Sequence, residues 1–391
     1  MTAVSTGTDA MRIADALLAD PLAPARARAR AGARVVGLVG ADVPVELVTA
    51  ASAYPVQLPI SSGAQTPNAD RYLEASFSPA ARWVAEQWLT GAYDCLDAVI
   101  FPRSNDSAQR LYYYLCELQR WGLTAGPRAL LYDLAKIPRE SSRRHTLAAT
   151  MRLAEELGAR RPEIAEAIAA RNRRRVLLSD LGRLRETDAP PPGSEVQRLL
   201  RASDLGDAEA FDDALVEWLQ VPRGRHSGPR IILAGSAPPD ERLHEAVERA
   251  GGCIIDELGE HSTRRLGDPI VLEQDSSDLY DDPRGIACDP LEALSNHYHA
   301  LPYGPRAFFD RPSALCERTV RGRADGVVLW LIEEDEASVW EVPAIRQTLD
   351  ASRVPHLVLA RRRWDAADGA LEAVSEFVSG LAPKPASGGS A

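Results

Sequence analysis

Short apolar runs rich in β-branched residues alternate along the chain with stretches of helical periodicity, and this alternation limits the possible folds. Residues 34–40 and 98–101 are two such runs; the first ends at a glycine and the second just before a proline. A helix is predicted from Pro44, because proline in a first helical turn has no amide whose hydrogen bond would be lost. Strands that alternate with helices form parallel sheets covered on both faces. The sequence therefore predicts an α/β fold.

The chain is longer than one ordinary domain, and breaks in its pattern divide it into parts. With 391 residues, two compact lobes and a connector are expected. We predict two Rossmann-like (flavodoxin-like) parallel-sheet lobes joined by a helical segment. The predicted parts are a helical lead-in over residues 1–33, a first lobe over 34–140, a helical connector over 141–222, a second lobe over 223–382 and a disordered tail over 383–391. The tail is rich in proline, glycine and serine, a composition typical of disorder.

Charge and hydropathy argue against several classes of partner. The formal net charge of −11 disfavours a broad contact with nucleic acid or an anionic membrane. No stretch approaches the roughly 20 apolar residues of a membrane span, and the first residues do not resemble a signal peptide. Five widely spaced cysteines without a C-x-x-C pair predict neither a disulfide framework nor a zinc ribbon. These features predict a cytoplasmic protein without nucleic-acid or membrane partners.

The loop after the second of these strands is the first candidate site. Ligands of parallel α/β folds bind at the carboxyl ends of strands, and residues 103–107, Arg-Ser-Asn-Asp-Ser, form one such end. Ser104, Asn105 and Ser107 could bind a ligand carbonyl or could form a polar network with one another. Asp106 precedes a predicted helix, which it is expected to cap; the alternative is a catalytic role.

Five segments of the chain, in order, resemble one protein family. They are residues 43–56, 96–107, 229–236, 250–256 and 324–328. The first is similar to a Pro-x-Glu-Leu helix that runs to an Ala-Gly-x-x-Pro turn, and the second to a strand followed by Thr-Cys-Asp or Ser-Cys-Asp. Their order and spacing are those of the 2-hydroxyacyl-CoA dehydratase and benzoyl-CoA reductase family, which includes the 2-hydroxyglutaryl-CoA dehydratase D-component.

The resemblance implies a [4Fe–4S] cluster held by three cysteines, and this chain has none of the three. Thiolates are the soft ligands that hold such clusters. The first position falls at Ser76 or Phe77, the middle one at Asn105 and the last near Asp335. A hydroxyl or phenyl group, an amide and a carboxylate cannot replace three thiolates. We therefore predict no cluster on this chain, and a [4Fe–4S] cluster on a partner subunit if the complex is active.

The acid of the opening motif, Glu46, is a candidate catalytic residue together with Asp106. In the family that this chain resembles, the equivalent acid lies near the substrate, and a buried carboxyl could exchange a proton there if burial raised its pKa. Alternatively, Glu46 is a solvent-exposed residue that the helix dipole favours in a first turn. Asp42 is predicted to cap the same helix.

Two further groups of residues have competing interpretations. His297 and His299 are two residues apart, a spacing that suits metal binding from a strand but not from the helix predicted there. A metal site is therefore not expected. The basic run at residues 171–175 is interpreted as a solvated helix face paired with nearby glutamates. Its alternative is a contact for the phosphates of coenzyme A, which arginine binds in a bidentate manner.

The resemblance implies a subunit of an acyl-CoA dehydratase or reductase complex. This chain would shape the acyl-CoA site, while a related cluster-bearing subunit would receive electrons from an ATP-dependent activator. A heterodimer with that subunit is expected, and a homodimer is the alternative. A second hypothesis is a non-catalytic acyl-CoA-binding or regulatory paralogue. A third is a stand-alone lyase that uses Glu46 and Asp106 for acid–base chemistry.

Overall fold

Two sheets of four parallel strands form the framework of the computed structural model, which describes residues 6–63, 65–206, 208–260, 262–272, 289–302 and 307–381. The first sheet contains β1 Val35–Leu38, β2 Tyr54–Gln57, β3 Ala98–Pro102 and β4 Arg128–Tyr132, in the order β2-β1-β3-β4. The second contains β5 Arg230–Gly235, β6 Cys253–Leu258, β7 Gly326–Ile332 and β8 His356–Arg362, in the order β6-β5-β7-β8. The predicted α/β fold with two parallel-sheet lobes is confirmed.

Both sheets place their first strand between the second and the third. Val36 of β1 pairs with Pro55 of β2 on one side and with Ala98 of β3 on the other. In open parallel sheets, the point where the strand order reverses leaves a crevice beyond the carboxyl ends of the strands, and ligands bind there. Each lobe therefore has one such point, between β1 and β3 in the first and between β5 and β7 in the second.

The strand positions follow the apolar pattern with two exceptions. β1, β3 and β7 are buried along their whole length, as expected for parallel strands covered on both faces. The apolar pattern favours a second strand at residues 57–60, but β2 lies at Tyr54–Gln57 instead. β4 was not predicted, because Arg-Ala-Leu-Leu-Tyr has no β-branched residue. It pairs with β3 at one edge of the sheet.

Helices surround the two sheets and form a third core. They are α1 Thr6–Ala19, α2 Ala23–Arg30, α3 Val45–Ala50, α4 Pro79–Leu89, α5 Asp106–Arg120, α6 Glu140–Leu157, α7 Arg161–Glu186, α8 Gly193–Ala202, α9 Ala208–Leu219, α10 Arg242–Arg249, α11 Pro290–Ala300, α12 Arg311–Gly322, α13 Glu336–Val339, α14 Val342–Ala351 and α15 Ala370–Ser379. α1, α7, α8 and α9 pack together in a hydrophobic cluster of their own. α7 also contacts α3 of the first lobe and β6 of the second. This 26-residue helix therefore connects both lobes.

The predicted parts do not correspond one to one with the packing units. α11 belongs by sequence to the predicted second lobe, yet Leu294 and Tyr298 lie in the core cluster of the first. The predicted tail, residues 383–391, lies outside the described residues. Across the part of the chain that the structure describes, no helix combines the length and the apolar content needed to cross a membrane.

The prediction that Asp42 caps the helix of the opening motif is wrong. Pro44 occupies the N-cap position of α3, and no side chain caps it. Asp42 instead forms an ion pair with Lys136, with 2.7 Å between Oδ1 and Nζ. Both side chains are buried, and Lys136 also donates to the carbonyl oxygen of Leu301 at 3.0 Å. Removing either member of this pair would leave a buried charge without its counter-charge.

Candidate functional site

A cavity of about 1030 Å³ lies where the carboxyl ends of the two sheets face each other. Its wall includes the turns that follow β1 and β3 in the first lobe and β5, β6 and β7 in the second. From the first lobe, Gly40 and Asn105 line the cavity. From the second lobe, the lining residues include Ser236, Glu260 and Asp335. The cavity thus lies at the strand-order reversals of both sheets, where this fold class binds its ligands.

Glycine is required where β5 enters the cavity wall. Gly235 has a φ of +107°, a conformation that side chains disfavour. A Cβ atom at this position would lie 2.3 Å from the carbonyl oxygen of Trp330 on β7. The close approach lets Ser236 donate through its backbone amide to that carbonyl at 2.9 Å, which fixes the turn.

The three positions of the expected cluster cysteines come together at this cavity. Ser76, Asn105 and Asp335 all line it. Asn105 accepts from the amide of Ala108 at 3.0 Å and so caps α5. Asp335 accepts from the Ser236 hydroxyl at 2.8 Å and caps α13. Phe77, the alternative first position, is fully buried instead.

The side chains at these positions do not fit an iron–sulfur cluster. Hydroxyl, amide and carboxylate oxygens are hard donors, whereas cluster iron requires thiolates. The cavity wall contains no cysteine among the described residues, and Cys288 lies outside them. The same residues contain no cluster of three or more His, Cys, Asp or Glu side chains suited to a metal ion.

The remaining residues of the strand–loop motif divide between the cavity and its surroundings. Asp106 and Ser107 line the cavity, and the Ser107 hydroxyl accepts from the amide of Ser78 at 3.2 Å. The capping role predicted for Asp106 is wrong, because it is the first residue of α5 and Asn105 is the cap. Ser104 lies deeper, with 3% of its surface exposed.

The alternative that Glu46 is exposed is also wrong. Glu46 is buried against α7, where Arg175 donates to it. Its other carboxylate oxygen accepts from the Tyr298 hydroxyl at 2.9 Å. Burial alone raises the pKa of Glu46, but the charges of Arg175 and Arg171 outweigh burial and lower it. Tyr298 lines the cavity and Glu46 does not. If Glu46 has the predicted catalytic role, it would therefore have to affect a ligand through its hydrogen bond with Tyr298.

Neither interpretation of the basic run on α7 describes what the structure contains. Only Arg173 is substantially exposed, and it pairs with Asp213. Arg174 is buried and pairs with Asp212 of α9. Arg171 lines the cavity, but its guanidinium is 2.9 Å from Asp204. The run is therefore neither a solvated face nor a set of free cations for phosphate, because its arginines form ion pairs and only the pair of Arg173 is exposed.

The two histidines of α11 diverge, as predicted. The ring of His297 is hydrogen-bonded to the carbonyl oxygen of Leu266 at 2.8 Å. The ring of His299 is hydrogen-bonded to the carbonyl oxygen of Ala135 at 2.6 Å. Both partly buried rings therefore have backbone partners.

Glu260 is a cavity residue that the sequence analysis missed. It follows β6 and lines the cavity. Burial raises the pKa of its carboxyl to about 7, and the negative charges of Asp42 and Asp335 add to that shift, while Lys136 and Arg311 oppose it. A carboxyl that titrates near neutral pH can exchange protons or donate a hydrogen bond. Its position after an apolar strand was the available signal.

Comparison with known proteins identifies the family. No curated protein matches the chain. The family model described as 2-hydroxyglutaryl-CoA dehydratase, D-component, matches residues 41–377. This range includes most of the cavity wall and every described strand except β1. The match supports a dehydratase-type subunit, and a D-component implies a partnered, multi-subunit complex. Because the match extends over well above half of the sequence, this chain belongs to the 2-hydroxyglutaryl-CoA dehydratase D-component family.

Proposed function

We propose that this chain is the acyl-CoA-binding subunit of a complex of the 2-hydroxyacyl-CoA dehydratase and benzoyl-CoA reductase type, and that it has no iron–sulfur cluster of its own. The observation that carries the proposal is the cavity between the sheets, with Ser76, Asn105 and Asp335 in its wall. Its volume is at the upper end of the range typical of small-molecule sites, about 300–1,000 Å³. The family match supports acyl-CoA thioesters as the class of ligand.

The lining of this cavity suits a thioester with an apolar and a polar part. Leu58, Ile60 and Val84 contribute apolar surface from the first lobe, and Leu329 and Leu331 contribute it from the second. Hydroxyl, amide and carboxyl groups converge at the inner end, where the strands stop. Apolar walls with a few placed polar groups are the usual design of sites that orient a small ligand.

The side chains at the three positions where cluster cysteines are expected, Ser76, Asn105 and Asp335, support a partner subunit that holds the cluster. Dehydration of a 2-hydroxyacyl thioester removes an unactivated β-hydrogen, which acid–base chemistry alone does with difficulty. The redox group would therefore be a [4Fe–4S] cluster on a related subunit, supplied with electrons by an ATP-dependent activator. A heterodimer provides that cluster, whereas a homodimer of this chain would have none.

The same side chains support a second candidate, a non-catalytic acyl-CoA-binding or regulatory paralogue. It retains the cavity and its ligand class but has no partner with a cluster. A stand-alone lyase that uses Glu46 and Asp106 is the weakest candidate, because Arg175 keeps the Glu46 carboxyl ionised and paired.

Anaerobic purification of the chain, alone and together with a cluster-bearing family member encoded beside it, tests the proposal. Alone, the chain should contain no stoichiometric iron and should bind an acyl-CoA thioester in calorimetry. The copurified complex should contain about four iron and four sulfide per heterodimer, and should dehydrate a 2-hydroxyacyl-CoA when the reduced activator and ATP are added.

Three results would contradict parts of this proposal. About four iron and four sulfide on the chain alone would overturn the absence of a cluster. Thioester binding without any stable partner would favour the regulatory paralogue. A chain that binds no acyl-CoA in either preparation would remove the basis for both candidates.

A further inference from the structure

A second, much smaller cavity lies beside the large one, and the two have wall residues in common. Gly40, Ala41, Asn105 and Glu260 line both. The small cavity has a volume of about 10 Å³, which is close to the space of one water-sized group. It is therefore a niche at the inner end of the cleft that can receive one oxygen atom of a ligand.

The wall of this niche contains a buried hydroxyl without a partner. Ser104 is 3% exposed, and its Oγ has no hydrogen-bond partner among the described residues. Leaving a buried polar group unpaired costs about 1–3 kcal/mol, so such groups usually have a ligand or a water as partner. Ser104 and Glu260 both line the niche.

Burial raises the pKa of Glu260 most strongly, and four charged groups modify that pKa further. The carboxylates of Asp42 and Asp335 favour its neutral form, while Lys136 and Arg311 favour its charged form. Lys136 is already held by Asp42 at 2.7 Å, and Arg311 by Glu341 at 2.6 Å. The carboxyl of Glu260 has a pKa of about 7, so around neutral pH a large fraction of it can donate a hydrogen bond.

We propose that Glu260 and Ser104 together bind one oxygen atom of the acyl group, its hydroxyl or its thioester carbonyl, in this niche. The inference rests on the proposed function and adds a residue that determines ligand orientation and specificity. Glu260 donates from its protonated carboxyl to the ligand oxygen. The Ser104 hydroxyl donates to a carbonyl, or accepts from a hydroxyl.

Calorimetric titration with three probes tests the proposal. The probes are 2-hydroxyglutaryl-CoA, glutaryl-CoA, which lacks the hydroxyl, and coenzyme A, which lacks the acyl group. Affinities are measured at about pH 6 and about pH 8, on either side of the pKa of Glu260. Binding of the acyl thioester should weaken about tenfold at the higher pH, because one hydrogen bond is lost, whereas binding of coenzyme A should not change.

Substitutions identify the group responsible. Glu260→Gln keeps a neutral donor, so it should retain affinity for the thioester and lose the pH dependence. Glu260→Ala should bind about tenfold more weakly at about pH 6, and also without pH dependence. Ser104→Ala should weaken binding of the acyl thioester but not binding of coenzyme A. The matched control is Ser295→Ala, since Ser295 is equally buried and also has no partner for its Oγ among the described residues, but does not line either cavity.

The outcomes show whether the niche binds the thioester carbonyl or the hydroxyl, and they distinguish failure of the niche proposal from failure of the proposed function. A pH effect for both thioesters assigns the carbonyl, and an effect confined to 2-hydroxyglutaryl-CoA assigns the hydroxyl. If Glu260→Gln binds with unchanged pH dependence, or if Ser104→Ala binds like Ser295→Ala, the niche is not the oxygen site although the proposed function stands. If no thioester binds the wild-type chain, both proposals are wrong. Thermal unfolding of each variant confirms that it is folded.

Discussion

Glu46 on α3 and Arg175 on α7 form an ion pair in which no more than 1% of either side chain is exposed. Both groups also form further hydrogen bonds. Tyr298 donates to Glu46 at 2.9 Å, and Arg175 donates to Asn172 at 3.1 Å. Ten residues further along α7, Arg185 pairs with Glu257 of the second lobe at 2.9 Å. One helix thus connects to the two lobes through two buried arginines, one for each lobe.

Removal of one member of the Glu46–Arg175 pair should strongly destabilise the protein. Glu46→Ala leaves a buried guanidinium without its counter-charge, so the free energy of unfolding should fall by about 3–5 kcal/mol. Denaturant unfolding followed by circular dichroism measures the change. Arg173→Ala is the control on the same helix; its exposed pair with Asp213 should contribute less than about 1 kcal/mol. Equal effects of the two substitutions would contradict the assigned role of burial.

The partly buried His297 should make the protein less stable in acid. Burial, followed by the charge of Arg175, lowers the pKa of His297 from 6.5 to about 4. The unfolded chain therefore binds a proton that the folded chain does not bind between these pH values. The contribution of His297 to stability is complete above pH 6.5 and is lost as the pH falls toward 4.

The change expected from this histidine is roughly 2–3 kcal/mol, as the shift in pKa implies. Other groups also titrate in this range, so the wild-type chain is compared with His297→Gln. The free energy of unfolding at about pH 7 and about pH 4 is measured for both. The wild-type chain should lose more stability than the variant, and parallel losses would show that His297 is protonated in the folded state.

Asp335→Asn should shift the pH at which thioester binding weakens. Asparagine caps a helix as well as aspartate does, so α13 should be retained while one negative charge near Glu260 is removed. Since that charge raises the pKa of Glu260, the midpoint of the binding curve should move to lower pH by up to about one unit. Glu336→Gln, one residue further and exposed, should produce a smaller shift. An unchanged midpoint for Asp335→Asn would contradict the assignment of the midpoint to Glu260.

A polar contact between the lobes should contribute measurably to stability. The hydroxyl of Ser62, in the first lobe, donates to Asp240 of the second at 2.6 Å and accepts from Arg242 at 2.9 Å. A double-mutant cycle with Ser62→Ala and Asp240→Ala should give a coupling energy of about 0.5–1.5 kcal/mol, the value of one net hydrogen bond. Additive effects would mean that this contact does not hold the lobes together.

Much of the fold could be predicted from local pattern. The strands at residues 34–40, 98–101 and 326–332 are continuous apolar runs, and such runs form buried parallel strands because helices cover both of their faces. β4 was missed because its residues have weak β propensity and their strand conformation depends on pairing with β3. The order of motifs also led to the correct family.

The ion pairs and pKa values of the site could not be predicted from local sequence pattern. A run of arginines with glutamates nearby is typical of a solvated helix, and no local feature distinguishes that case from α7, whose partners Asp204, Asp212 and Glu46 are distant in sequence. Glu260 likewise follows an ordinary strand. Its environment is created by Asp42, Lys136 and Asp335, which come from separate segments of both lobes.

The sequence by itself determined the two-lobed α/β class and the family, because each depends on residue type in local order. Only the tertiary structure decided that Ser76, Asn105 and Asp335 line one cavity, that Glu46 is buried against Arg175 and that the pKa of Glu260 lies near 7. The physical reason is that burial and electrostatic interaction depend on distances in space between residues that lie far apart along the chain.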